Sequence, residues 1–81
     1  MSIFRVHFYR ILAGCPESGY LLTGLKTEIG AVAGRRPGDD EMKELVQDAK
    51  RAGHIEVTPD PLFGSDRISL TPDGMLVAER L

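Results

Sequence analysis

The chain has 81 residues, 42% of them hydrophobic, and a formal net charge of −2, which is enough for one small core over residues 1–81 and leaves no length for a second domain. Its single cysteine excludes an internal disulfide and a Cys-rich zinc site, and no apolar run approaches the roughly 20 residues that span a membrane. The charge is unevenly placed: residues 1–38 carry five Lys or Arg against two Glu and stand at +3, whereas residues 39–81 carry five against ten Asp or Glu and stand at −5. Arg5, His7 and Arg10 interrupt the apolar N-terminal stretch, which a signal peptide does not allow, so a soluble cytoplasmic protein is expected.

From Ile3 to Ala13, Phe4, Phe8, Ile11 and Leu12 share one helical face, with Ser2 placed to cap the start and Gly14 to end it. The alternation of Phe4, Val6 and Phe8 also suits a strand, but it fails at Arg10, and a first helix is predicted. Cys15 to Gly19 form a loop. Tyr20, Leu21 and Leu22 lead into a second helix, in which Leu25, Ile29, Val32 and Ala33 recur at helical spacing and Thr23 is placed to cap the first turn. Gly24 and Gly30 each weaken this helix by up to ~1 kcal/mol, so it depends on packing, and Gly30 offers room for another backbone. Gly34, Arg35, Arg36, Pro37 and Gly38 then make a turn that lets the next helix cross steeply.

That third helix begins at Asp39, whose side-chain oxygen is placed to cap it. Met42, Leu45, Val46, Ala49 and Ala52 place its apolar face, the acidic trio Asp39, Asp40 and Glu41 suits the positive end of its dipole, and Gly53 can close it in the left-handed conformation. Ile55 to Thr58 and Arg67 to Leu70 alternate apolar and polar residues around a turn-rich tip, which predicts a two-stranded hairpin. Thr71 caps a short last helix with Pro72 at its first position and Asp73 near its dipole, and Met75, Leu76 and Leu81 are expected to return to the core. Leu45 and Ile29, on the faces of two crossing helices, are expected to be nearly inaccessible.

The order of three helices, wing hairpin and short C-terminal helix resembles the winged helix-turn-helix superfamily, an α+β fold, and within it the MarR and PadR groups of bacterial regulators. The residues that carry the resemblance are Gly19-Tyr20 before the second helix, Gly53-His54-Ile55-Glu56 after the third, Asp66-Arg67 in the wing, and Leu70-Thr71-Pro72-Asp73-Gly74 at the end. Lone winged helices of this size also occur among phage-encoded proteins. The resemblance implies a small non-enzymatic protein that binds double-stranded DNA without a cofactor, with transcriptional regulation as the expected role. Winged helices also serve as protein-interaction modules, and that alternative stays open.

For DNA, the exposed face of the third helix offers Lys43 and Gln47 to base edges, because Lys donates to guanine and Gln pairs with adenine, with Lys50 and Arg51 further along. Arg35 and Arg36 are placed for phosphate contacts, and by resemblance Arg67 reaches a minor groove from the wing, unless it pairs locally with Asp66 or Asp60. The competing reading is a solvated face of mixed charge: Asp40, Glu44 and Asp48 repel phosphate and would instead favour a basic protein partner. Leu62 and Phe63 at the wing tip are expected to fold back on the core, the alternative being contact with such a partner. No catalytic or metal site is read: His7, His54 and Cys15 lack ligand spacing, and the sequence has no P-loop, dinucleotide fingerprint or nucleophile elbow.

Overall fold

The structure is a computed structural model that describes residues 3–14, 19–60, 62 and 64–81. In order the elements are α1 (Ile3–Ala13), β1 (Tyr20–Leu21), α2 (Leu22–Ala33), α3 (Asp39–Arg51), β2 (Ile55–Asp60), β3 (Ser65–Leu70) and α4 (Pro72–Arg80). The predicted helices and hairpin are all present. The Ser2 cap, the loop Cys15–Ser18 and the place of Phe63 lie outside the described residues.

β1, absent from the sequence reading, makes the sheet three-stranded in the order β1-β3-β2, antiparallel throughout. Tyr20 pairs with Ile68 and Leu21 with Arg67, while Ile55 to Asp60 run against Leu70 to Ser65. Two residues are too short to show a period, and only the edge of β3 gives them a partner. Gly19, with φ +68°, turns the chain into this pairing so closely that a Cβ there would lie 2.4 Å from the Ile68 carbonyl oxygen.

α1 buries Phe4, Phe8, Tyr9 and Leu12, α2 buries Leu25 and Ile29, α3 buries Met42 and Ala49, and the sheet adds Ile55, Ile68 and Leu70. Four expectations are corrected here. Val32 is 55% exposed, since α2 packs on α1 and β3 through Leu25 and Ile29, and its last turn lies beyond them. Leu45 is only half-buried, because it floors a groove between α1 and α3, whereas Ile29 is fully buried as expected. Leu76 is 54% exposed, and Val77, Ala78 and Leu81 join Met75 in packing α4 on the core. Leu62 is 87% exposed at the wing tip and does not fold back.

The caps also differ in detail. Gly38, not Asp39, precedes the first turn of α3, and its N–H donates to Glu41 Oε1 at 3.1 Å, so Glu41 satisfies the helix start from three residues on. α2 begins at Leu22 with no side-chain cap, and Thr23 lies inside it. Gly53, at φ +77°, ends α3 as foreseen: His54 N–H donates to Ala49 O at 2.9 Å and Gly53 N–H to Lys50 O at 3.1 Å, the paired bonds of a Schellman ending. At the other end of the hairpin, Thr71 Oγ1 accepts from Gly74 N–H at 3.1 Å and donates to Gly53 O at 2.6 Å, and Thr71 N–H donates to His54 O at 3.0 Å. One threonine therefore caps α4 and ties it to the end of α3. Gly74 is what permits this approach, since a Cβ there would meet His54 O at 2.0 Å.

Candidate nucleic-acid interface

Residues three and four apart on a helix are neighbours, and most of the polar residues of α3 fall into two groups, with exposed Asp40 between them. Lys43, Gln47 and Lys50 make one. Lys43 and Gln47 line a groove of about 520 Å³ that is closed by Thr23 and Lys26 of α2 and by Asp66 of β3, over an apolar floor of Leu22, Met42 and Val46. Glu41, Glu44 and Asp48 make the other group, and they line a separate groove of about 250 Å³ shared with Phe4 and Arg5 of α1. Of the acidic residues that the sequence set against phosphate binding, Glu44 and Asp48 line the groove with α1, whereas Asp40 is exposed and lines neither groove. Arg51 stays near them, with Nη1 3.7 Å from Asp48 Oδ1.

Asp39 lies on the Lys43 side and lines the first groove. Its Oδ1 accepts from Lys26 Nζ at 2.5 Å, and that bond, with the charge behind it, holds the Asp39 carboxyl below the usual carboxylate range. Lys26 escaped the sequence reading. It is one turn into α2 with no special spacing, and only the crossing of α2 and α3 brings it to the groove.

The arginines are placed less simply than their position suggested. Arg35 sits 4.5 Å over the Phe4 ring and forks onto Glu41, Nη1 to Oε1 at 3.3 Å and Nη2 to Oε2 at 3.5 Å. The Gly38 N–H and Arg35 together hold Glu41 below its ordinary carboxyl range. Arg35 therefore serves the turn first. Arg36 is exposed, with its stem against Gly30, where a Cβ would come within 3.3 Å of the Arg36 Cα. Gly30 does admit a neighbouring backbone. Arg67 Nη2 lies 3.3 Å from Asp60 Oδ2, the cross-strand one of its two expected local partners.

Tyr9 and His54 complete the geometry behind α3. Tyr9 OH and His54 Nδ1 are 2.7 Å apart, and burial pushes the Tyr9 hydroxyl up from 10.0 against the opposing pull of Arg5, which lies 5.0 Å over its ring. His54 is therefore occupied in fastening the end of α3 to α1. Among the described residues no group of three metal-ligating side chains converges, and no helix is long and apolar enough to cross a membrane.

No family model and no curated protein matches this sequence. Solved structures do match it in shape. MepR, a transcription regulator of the Staphylococcus aureus multidrug efflux pump MepA, superposes with a TM-score of 0.71 at 18% identity over 99% of this chain and 54% of its own. The fold is a winged helix-turn-helix. A MepR mutant from a multidrug-resistant S. aureus clinical isolate gives a TM-score of 0.74 at 17% identity over 99% of this chain and 54% of that one. Another mutant, solved bound to an oligodeoxyribonucleotide, gives 0.72 at 18% over 98% and 54%. This winged helix thus spans about half the length of the solved structures it matches, and the likeness read from its motifs holds for the fold. Within this fold α3 is the second helix of the helix-turn-helix, and β2 and β3 form the wing.

Proposed function

We propose that this winged helix binds double-stranded DNA in the cytoplasm as part of a transcriptional regulator, with α3 in a major groove and the wing against the neighbouring backbone. The observation that carries the reading is that Lys43, Gln47 and Lys50 are exposed together on α3 while Glu41, Glu44 and Asp48 face the α1 side, with Asp39 held by Lys26 and Asp40 standing between the two sets. Support comes also from the MepR mutant of the same fold solved with an oligodeoxyribonucleotide. Gln47 and Lys43 then read base edges, whereas Lys50, Arg51, Arg36 and Arg67 approach phosphates. Arg67 does so by leaving Asp60, and Arg35 contributes only by releasing Glu41. Binding involves no cofactor and no chemical step.

The test is fluorescence anisotropy with a pool of random-sequence duplexes at low salt, repeated as salt rises. Binding that weakens with salt is expected, since each phosphate contact contributes about 0.9 to the log-log slope. Absence of binding at the lowest salt would remove the reading.

A further inference from the structure

The groove that α3 shares with α2 and the wing is unlike a phosphate site. Of its four charged side chains, Lys26 and Asp39 are paired, and Lys43 and Asp66 add one charge of each sign, so the groove is neutral as a whole. Its base is apolar. Leu22 at the start of α2 and Val46 on α3 are half-buried, Met42 lies beneath them, and they leave apolar surface open beside Lys43 and Gln47. A phosphate entering here would lose its water against carbon, with only Lys43 to meet its charge. An uncharged base edge fits such a surface better.

We infer that this groove takes the C5 methyl group of thymine in the major groove of a duplex, so that its apolar floor and Gln47 together select A·T pairs; the inference rests on the proposed placement of α3 on DNA. Thymine is the one standard base that presents an apolar group in the major groove, and its partner adenine presents the N6 and N7 edge that a glutamine amide pairs with. An A·T pair therefore offers a methyl to Leu22 and Val46 and a hydrogen-bonding edge to Gln47, which follows Val46 directly on α3. A G·C pair in the same place would set the cytosine amino group or guanine O6 against the floor, where a polar atom loses water and gains no partner. Leu22 and Val46 thus act as specificity residues beside the polar pair Lys43 and Gln47.

The test compares duplexes that differ only in methyl groups. Duplexes selected by the whole chain from a random pool are resynthesised with deoxyuridine for thymidine at one position at a time, which removes the methyl and keeps every hydrogen-bonding group. Binding is followed by anisotropy. At the thymine that faces the groove, uracil is expected to weaken binding about fourfold, the worth of one buried methyl group. Val46→Thr, which puts a hydroxyl in place of a methyl, is expected to abolish that difference, and Leu22→Thr to do the same, whereas Leu76→Thr, an exposed change on α4, keeps it. Thermal melts on each variant separate loss of fold from loss of contact, and the uracil comparison on the unsubstituted chain needs no variant. Equal binding of thymine and uracil duplexes at every position would overturn the inference and leave the DNA reading standing, while no binding of any duplex at low salt would remove both. A difference that persists in folded Val46→Thr and Leu22→Thr would also overturn it, because the methyl would then sit elsewhere. So would a concentration-dependent dimer in light scattering that Val46→Thr abolishes, since the groove would then belong to a second copy.

Discussion

Asp39 and Lys26 meet at the mouth of the groove that α3 shares with the wing, and each blunts what the other offers a nucleic acid. Replacing Asp39 by Asn removes a negative charge there and releases Lys26 toward a phosphate, so duplex binding should tighten and its salt dependence steepen. The pair is exposed, so the melting temperature should barely move. Anisotropy and thermal melts on the same samples check both outcomes. Gln47→Ala should act differently, changing which sequences are preferred in a selection from random duplexes with little change in salt slope, because an amide carries no counterion. In the core, Ile29→Ala should cost ~2–5 kcal/mol, the range for deleting a fully buried branched side chain, and half-buried Leu45→Ala less. Denaturant titrations rank the two, and a larger loss at Leu45 would contradict the groove beside it.

At the scale of elements, three of the motifs that resemble winged-helix regulators are junctions. Gly19-Tyr20 enters the sheet beside Ile68, Gly53-His54 closes α3, and Leu70-Thr71-Pro72-Asp73-Gly74 starts α4 on the carbonyls of Gly53 and His54. These residues follow from the geometry of joining elements and say nothing of what is bound, which is why they were readable for fold and not for activity. Gly74→Ala should destabilise by ~1–3 kcal/mol, because its Cβ must displace the His54 carbonyl, and Thr71→Ala by about 0.5–2 kcal/mol through loss of the cap. Chemical denaturation measures both. Asp73→Ala, exposed on the same turn, should cost less than either.

For the whole molecule, electrostatics governs the salt response of the proposed duplex binding and the response of stability to pH. Substituting Arg36 and Arg67 together should lower the log-log salt slope of duplex binding by about 1.8, twice the contribution of one phosphate contact. Stability should also follow the shifted groups. Asp39 and Glu41 have lowered pKa values, so their contribution is present above the ordinary carboxylate range and lost as pH falls through the lowered values. Tyr9 is raised, so its contribution is complete below its ordinary 10.0 and disappears as pH rises through the elevated value. Melting temperatures across pH should therefore fall at both extremes, with the alkaline fall reduced in Tyr9→Phe. By itself the sequence determined the helices, the hairpin, the Thr71 cap and the Gly53 ending, because period, capping and turn chemistry are local and each leaves its mark within a few residues. It also named Lys43 and Gln47 as exposed on α3. Tertiary structure alone decided that β1 exists, that Lys26 reaches Asp39, that Arg35 is held by Phe4 and Glu41, and that Val32, Leu62 and Leu76 stay in solvent. It decided, too, that Lys43 and Gln47 face one groove and Glu41, Glu44 and Asp48 another. Each of these depends on how elements distant in sequence cross, and a pairing made across a crossing leaves no local pattern to read.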